Sequence, residues 1–440
     1  MATPQGALRG REMRCLRFNK AFLAVHTEMI FLIHGGRKRK NAANGNVLDV
    51  IIALVIDNLL VGLFPEFIGS LTNLVHLDLS NTGTQQGETI PYQIGNLSNL
   101  QYLNLRVISH ELKNLSKLQC LSLSNNYFNG PIPVFIGSLK SYRYHDLSYS
   151  GFSGVIPHDL ENLSKLQHLD LSYNLVTGGG NFECLAELDL SRNMLEGRIP
   201  ESFAYMTSLT HLELFGNQLS SVLSEATGLP SSLVELDLSM NSIRSTISEA
   251  HLFNISRLEY KHASFNSLAF EFSSECPFQF TQLSLASCKL GPKFPNWIRN
   301  QRYIDHLDIS NSQISDTIPI SFSNLLTAVY HLNLSSNKIR GSFLFDFPYI
   351  EEMDLSSNYF DKPLPPIPTN CVKLNLSQNK FSGTLISISV TENLSIGFLD
   401  ISNNKLFGAL PDNWMYFQGL VFLNLGYNNF SGRIPRSIGN

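Results

Sequence analysis

The residues of this chain that could do chemistry recur at a fixed interval and do not gather into clusters. Carboxylates stand at Asp78, Asp146, Asp170, Asp189, Glu213, Asp237, Asp308, Asp354 and Asp400. A second column reads His76, Tyr144, His168, His211, Tyr260, His306, His331, Phe398 and Phe422. Acid–base catalysis needs titratable groups whose surroundings push their pKa values apart, and equivalent positions in a repeat supply no such difference. Six cysteines, Cys15, Cys120, Cys184, Cys276, Cys288 and Cys371, are scattered without a C-x-x-C pair or zinc spacing. No metalloprotease, P-loop, nucleophile-elbow, dinucleotide or kinase motif occurs. The sequence therefore reads as non-enzymatic, with no catalytic residue, no metal and no cofactor.

The interval itself defines the elements that hold these residues. The phrase L-x-x-L-x-x-L-x-L-x-x-N-x-L-x-G-x-I-P returns about every 24 residues. Such repetition predicts an α/β repeat solenoid in which each unit packs on its neighbours. The two leucines of L-x-L point inward and their neighbours outward, so stacked units build a parallel sheet. The asparagine of the phrase turns the chain inward, and its amide can satisfy backbone groups buried at the turn. That ladder role falls on Asn126, Asn174, Asn193, Asn217, Asn241, Asn266, Asn337, Asn358, Asn379, Asn404 and Asn428, with Cys288, Ser150 and Ser312 as small stand-ins. Asn58 and Thr82 take the same place nearer the N-terminus. Cys288 is read as a ladder residue, not a reactive thiol. The glycine of G-x-I-P allows a tight bend, and the proline is expected to fix an extended segment after it. Lys261 and His145 occupy inward leucine positions. A buried lone lysine is costly, so that strand is expected to distort or Lys261 to reach solvent.

Residues 1–48 lack the repeat and are expected to form an atypical, poorly ordered or degraded N-terminal cap. Residues 49–440 read as an array of about 17 units, truncated at its C-terminus because the phrase breaks off at Asn440. A net charge of −4 gives no reason to expect nucleic acid. No run of about twenty apolar residues reads as a membrane anchor, and no clear secretory signal opens the chain. Eight N-x-[ST] sequons, at Asn96, Asn114, Asn162, Asn254, Asn333, Asn375, Asn393 and Asn429, nevertheless suit a secreted glycoprotein.

The G-x-I-P half of the unit resembles the plant-specific leucine-rich repeat. The segments from Cys276 to Trp297 and from Leu307 to Pro319 are similar to plant receptor-like proteins of the type that recognises fungal ethylene-inducing xylanase. The resemblance implies a right-handed superhelix with a parallel β-sheet on its concave face. It further implies a plasma-membrane protein facing outward, binding a microbial or cell-wall protein or peptide in plant defence and signalling through a membrane receptor kinase as co-receptor. A soluble secreted inhibitor of cell-wall-degrading enzymes and a non-functional truncated copy are the alternative readings.

On such a face, exposed aromatics and arginine are the residues that anchor interfaces. Tyr149, Tyr173, Arg192, Phe215, Met240, Phe265 and Tyr427 are expected on outward strand positions beside the histidine column. The candidate ligand-binding residues are Tyr144, Tyr149, His168, Tyr173, Arg192, His211, Phe215 and Met240. The column histidines are expected to titrate between about pH 5 and 8. The acidic column is either repeat consensus or a field that favours basic groups on a partner. Asn333 and Asn375 fall within strands, where a glycan would obstruct the face.

Overall fold

The computed structural model describes residues 31–32, 53–55, 66–79, 91–221, 229–252, 255, 257–273, 279–326, 328–343, 349–385 and 394–439. Most of the 1–48 segment, Asn58, Thr82, Cys15, Cys276, Asn254 and Asn393 lie outside the described residues. The chain divides into two units, one of Met1–Phe152 with Pro157–Asp170 and one of Ser153–Ile156 with Leu171–Asn440.

Each unit is a stack of coils. In the first, strands Ala53–Val55, His76–Asp78, Tyr102–Asn104, Cys120–Ser122, Tyr144–Asp146 and His168–Asp170 pair in parallel and in chain order. The second continues the pattern from Glu187–Asp189, His211–Glu213, Glu235–Asp237 and Tyr260–His262 through Gln282–Ser284 and His306–Asp308. Strands His331–Asn333, Glu352–Asp354, Lys373–Asn375, Phe398–Asp400 and Phe422–Asn424 complete it. The register aligns like with like: Leu188 faces Leu212, and Leu212 faces Leu236. All three leucines are buried, so each strand places its middle residue in the core; the flanks of His211–Glu213 and Glu235–Asp237 stay half-exposed, as does Glu187, while Asp189 is buried.

Behind the strands the coil returns through the proline half of the repeat. Pro133 and Pro200 keep extended backbone, and a short 3-10 helix follows each, at Val134–Ser138 and Glu201–Tyr205. The expected extended segment after the proline is thus a correction: the proline is extended, and the next residues turn helical. Proline lacks an N–H and suits a helix entry, where that donor has no partner. A further finding is a second tier of short parallel strands on the return path. Glu196–Arg198 pairs with Gln218–Ser221, and Thr246–Ser248 with Ala269–Glu271. Gly197, inside one of these strands, has φ 75°, which glycine reaches without a steric penalty.

The two misfit inward residues are accommodated without breaking the sheet. The strand Tyr260–His262 pairs regularly on both sides, and Lys261 is buried. Its ammonium lies 4.9 Å from the Phe270 ring centroid and 6.0 Å from that of Phe272. Two ring faces take the charge, so neither the distortion nor the escape to solvent occurs. His145 is also buried, 5.2 Å from the Tyr142 ring, and burial pushes its imidazole down to about 3. It sits in the core as a neutral base.

Candidate ligand-binding face

The ladder asparagines tie one coil to the next. Asn217 donates from Nδ2 to the Leu190 carbonyl of the preceding coil at 2.9 Å and to its own Leu214 carbonyl at 3.1 Å. Its Oδ1 accepts the Leu195 N–H at 3.0 Å. Asn193, Asn241, Asn266, Asn337, Asn358, Asn379, Asn404 and Asn428 repeat the inter-coil donation. Asn126 gives Nδ2 to Leu105 and Leu123, while Asn174 bonds Leu171 and Ser172 of its own coil. Where the residue is shorter, one donor survives: Ser312 Oγ reaches Leu285 O at 3.0 Å and Cys288 Sγ reaches Ala263 O at 3.3 Å. Burial pushes the Cys288 thiol up to about 12, which leaves it protonated and unreactive.

The acidic column closes the turn beyond each strand. Ser191 N–H donates to Asp189 Oδ1 at 2.9 Å, Ser239 N–H to Asp237 at 2.8 Å, and Ser310, Ser356 and Ser402 repeat the bond. The L-D-L-S consensus is thus a side-chain cap on a buried turn. Asn333 and Asn375 occupy the same column, accept the same bond, and donate Nδ2 to Asp308 at 3.2 Å and Asp354 at 3.1 Å. Both sequons lie half-buried in the strand face, whereas Asn96, Asn114, Asn162 and Asn429 are exposed elsewhere.

One correction concerns the aromatic rank. Tyr149, Tyr173, Arg192 and Met240 lie in the turn after the strand, immediately before the ladder residue, with φ between 51° and 55°. Phe265 and Tyr427 share that conformation, at 57° and 54°. Phe215 stands one place earlier, and Gly216 takes the left-handed position with φ 68°. The cause is the three-residue strand: the chain must swing inward at once to seat the ladder amide. A left-handed residue makes that bend while its N–H still bonds the next coil, as Met240 N–H does to Ser264 O at 2.9 Å. Left-handed backbone costs an L-residue about 1–2 kcal/mol, and small polar residues or glycine bear it best. Asn125, Asn311, Asn403 and Ser287 fill the position in other coils. In the second unit the early coils use bulky Tyr173, Arg192, Met240 and Phe265 instead.

Within that unit three of the candidate residues meet. The Arg192 guanidinium carbon lies 4.9 Å from the Tyr173 ring centroid and 4.8 Å from that of Phe215. Beside them His211 Nε2 stands 3.6 Å from Glu235 Oε2 on the next strand, and Met240 is 49 % exposed. In the first unit Tyr144 and His168 bring their rings to 5.5 Å, and Tyr149 is exposed in its turn.

The histidines do not share one titration range. Burial pushes His76, stacked on Tyr102 at 4.0 Å, down to about 4. His306 is also lowered, by burial and then by His331 and His262 beside it. His76 therefore stays neutral across the range expected from sequence, because neighbouring rings remove its water.

Among the described residues no group of histidine, cysteine and carboxylate side chains is placed to hold a metal. Nor is any described helix long and apolar enough to cross a membrane.

The coil geometry agrees with comparison to known proteins. The family model described as Leucine Rich Repeat matches residues 117–139, 184–206, 303–325 and 419–440, and a second model described as Leucine Rich repeat matches 205–222. Receptor-like protein EIX2 of Solanum lycopersicum is 39 % identical over 180 residues, 40 % of this chain and 18 % of the relative. Receptor-like protein EIX1 of the same plant is 46 % identical over 126 residues, 28 % of this chain and 12 % of the relative. These alignments thus span less than a fifth of either relative. Among solved structures, the Arabidopsis receptor kinase HAESA in complex with the peptide hormone IDA and the co-receptor SERK1 superposes with TM-score 0.65 at 28 % identity, covering 88 % of this chain and 67 % of HAESA. The plant peptide hormone receptor RGFR1 in complex with RGF2 gives TM-score 0.61 at 26 % identity, covering 87 % and 76 %. The chain carries leucine-rich repeats and is similar to plant receptor-like proteins.

Proposed function

We propose that the chain is the ligand-sensing part of an outward-facing plasma-membrane receptor-like protein that binds a microbial protein or peptide in plant defence. A membrane receptor kinase acts as its co-receptor, and the chain itself catalyses nothing. The observation that carries this reading is the run of bulky side chains in left-handed backbone at Tyr173, Arg192, Met240 and Phe265. Strain of this kind persists where a function selects the side chain over the easier residue, and exposed aromatic, methionine and arginine groups are what interface anchors use. The peptide ligand and co-receptor in the HAESA complex support the same kind of partners. The exposed sequons Asn96, Asn114, Asn162 and Asn429 suit a chain displayed outside the cell.

The test is direct binding. The secreted chain is immobilised and offered a fungal ethylene-inducing xylanase at about pH 5.5 by biolayer interferometry. Saturable binding is expected, weakened at least tenfold by Met240→Asn or Phe265→Asn and unchanged by Tyr205→Asn on the exposed back of the coil. No binding removes the xylanase as ligand. Binding that Tyr205→Asn weakens and Met240→Asn does not would overturn the placement of the site.

A further inference from the structure

We infer that Arg192 is a pre-set clamp for a carboxylate of the ligand. The inference rests on the ligand-binding reading above and adds the chemistry of one subsite.

The two rings leave the N–H donors of Arg192 unused. Tyr173 and Phe215 lie within 4.9 Å of the guanidinium carbon, one contributed by the coil before Arg192 and one by the coil after it. An aromatic face interacts with the charge of a guanidinium but takes none of its five N–H donors, which lie in the guanidinium plane. Among the described residues those donors have no carboxylate partner. The carboxylate of the same coil, Asp189, is buried and bonded to the Ser191 N–H. Glu235, on the strand next to His211, stands against that histidine at 3.6 Å.

The backbone fixes the group as firmly as the rings do. Arg192 stands at φ 52°, and its N–H donates to Phe215 O at 2.6 Å. The side chain thus leaves a strained, tethered backbone and passes between two rings on adjoining coils. A long flexible side chain normally loses much rotamer freedom when it forms an ion pair. Here that loss is already taken in the free protein, so an incoming anion meets an ordered, partly desolvated fork. A planar carboxylate matches the fork with two parallel hydrogen bonds. Lysine at this place would offer a point charge without the stacking plane or the paired donors.

The experiment uses a random dodecapeptide library displayed on messenger RNA and selected against the full chain at about pH 5.5. Enriched peptides are resynthesised in three forms: unchanged, with each Asp or Glu made Asn or Gln, and with the C-terminus amidated. Each form is measured on wild type, Arg192→Gln and Arg192→Lys. The expected result is one carboxylate whose neutralisation weakens binding about tenfold on wild type and less than twofold on Arg192→Gln, with Arg192→Lys recovering only part. The amidated form separates a terminal carboxylate from a side-chain one. Equal losses on wild type and Arg192→Gln overturn the clamp, and so does a selection that yields no acidic peptide. The xylanase plays no part in this test, so its failure to bind leaves the clamp standing. Peptides that bind but ignore Arg192 overturn the clamp and leave the receptor reading intact. Circular dichroism of Arg192→Gln, whose side chain is half-exposed, checks that the coils persist.

Discussion

Replacing one ladder asparagine tests how the coils are held. Asn217 is 7 % exposed and serves three backbone groups: the carbonyls of Leu190 and Leu214 and the N–H of Leu195. Asn217→Ala leaves all three in a buried turn. At about 1–3 kcal/mol for each orphaned group, partly offset by relaxation and entering water, the loss is about 3–6 kcal/mol. Asn217→Ser keeps one donor, as Ser312 does toward Leu285, so about half that loss is expected. Asn217→Asp has the same shape but sets oxygen against two carbonyl oxygens. It should be at least as damaging as alanine near neutral pH. Its carboxyl would be raised in the folded chain, so the damage should shrink as pH falls below that raised value toward the ordinary carboxyl range of the unfolded chain. A solenoid need not unfold in one step, so a single melting temperature is a poor readout. Native-state hydrogen exchange is the better assay, with loss of protection expected at Leu195 and the adjoining coils and little change several coils away. A cost under about 1 kcal/mol for alanine, or equal effects of Asp and Ser, would refute the reasoning.

Three further outcomes follow from the same geometry. Met240→Asn and Phe265→Asn lose about 1 kcal/mol of half-buried apolar contact and relieve a similar left-handed penalty, so urea unfolding should shift by no more than about 1 kcal/mol while ligand binding falls. His145 is buried neutral, so below about 6.5 the unfolded chain takes up a proton that the folded chain refuses. His145 should therefore contribute a drop of about 1.4 kcal/mol per pH unit as pH falls from there toward the folded value near 3, and His145→Leu should make the slope shallower by that share in urea titrations from pH 7 to 4.5, leaving the share of His76. Gly137→Ala would drive its new carbon into the Asp159 backbone of the next coil, and a loss of about 3 kcal/mol is expected in chemical unfolding.

The repeat was legible because its leucines answer to strand alternation and its asparagines to one buried turn, and both requirements act at fixed places in the unit. The aromatic rank was misplaced because alternation was carried past Leu147, Leu190 and Leu238 into a turn. A signal was present: Asn125, Gly216, Asn311 and Asn403 hold the place before the ladder residue, and these are residue types that tolerate left-handed backbone. Reading that column would have put Tyr173 and Arg192 in the turn. The outer strands escaped notice because Glu196–Arg198 alternates no apolar residues and is exposed throughout. Lys261 could not be placed from its own strand, since Phe270, which covers its charge, arrives with the following return segment. The Arg192 sandwich needs residues from three coils at once, and no spacing rule within one unit would reveal it.

Hydrogen-exchange footprinting of the chain with the fungal xylanase bound tests the central claim most directly. Slowed exchange is expected at Tyr173, Arg192, the His211–Phe215 segment, Met240 and Phe265, with the outer strands Glu196–Arg198 and Gln218–Ser221 unchanged. Slowed exchange on those outer strands, with the left-handed turns unaffected, would contradict it.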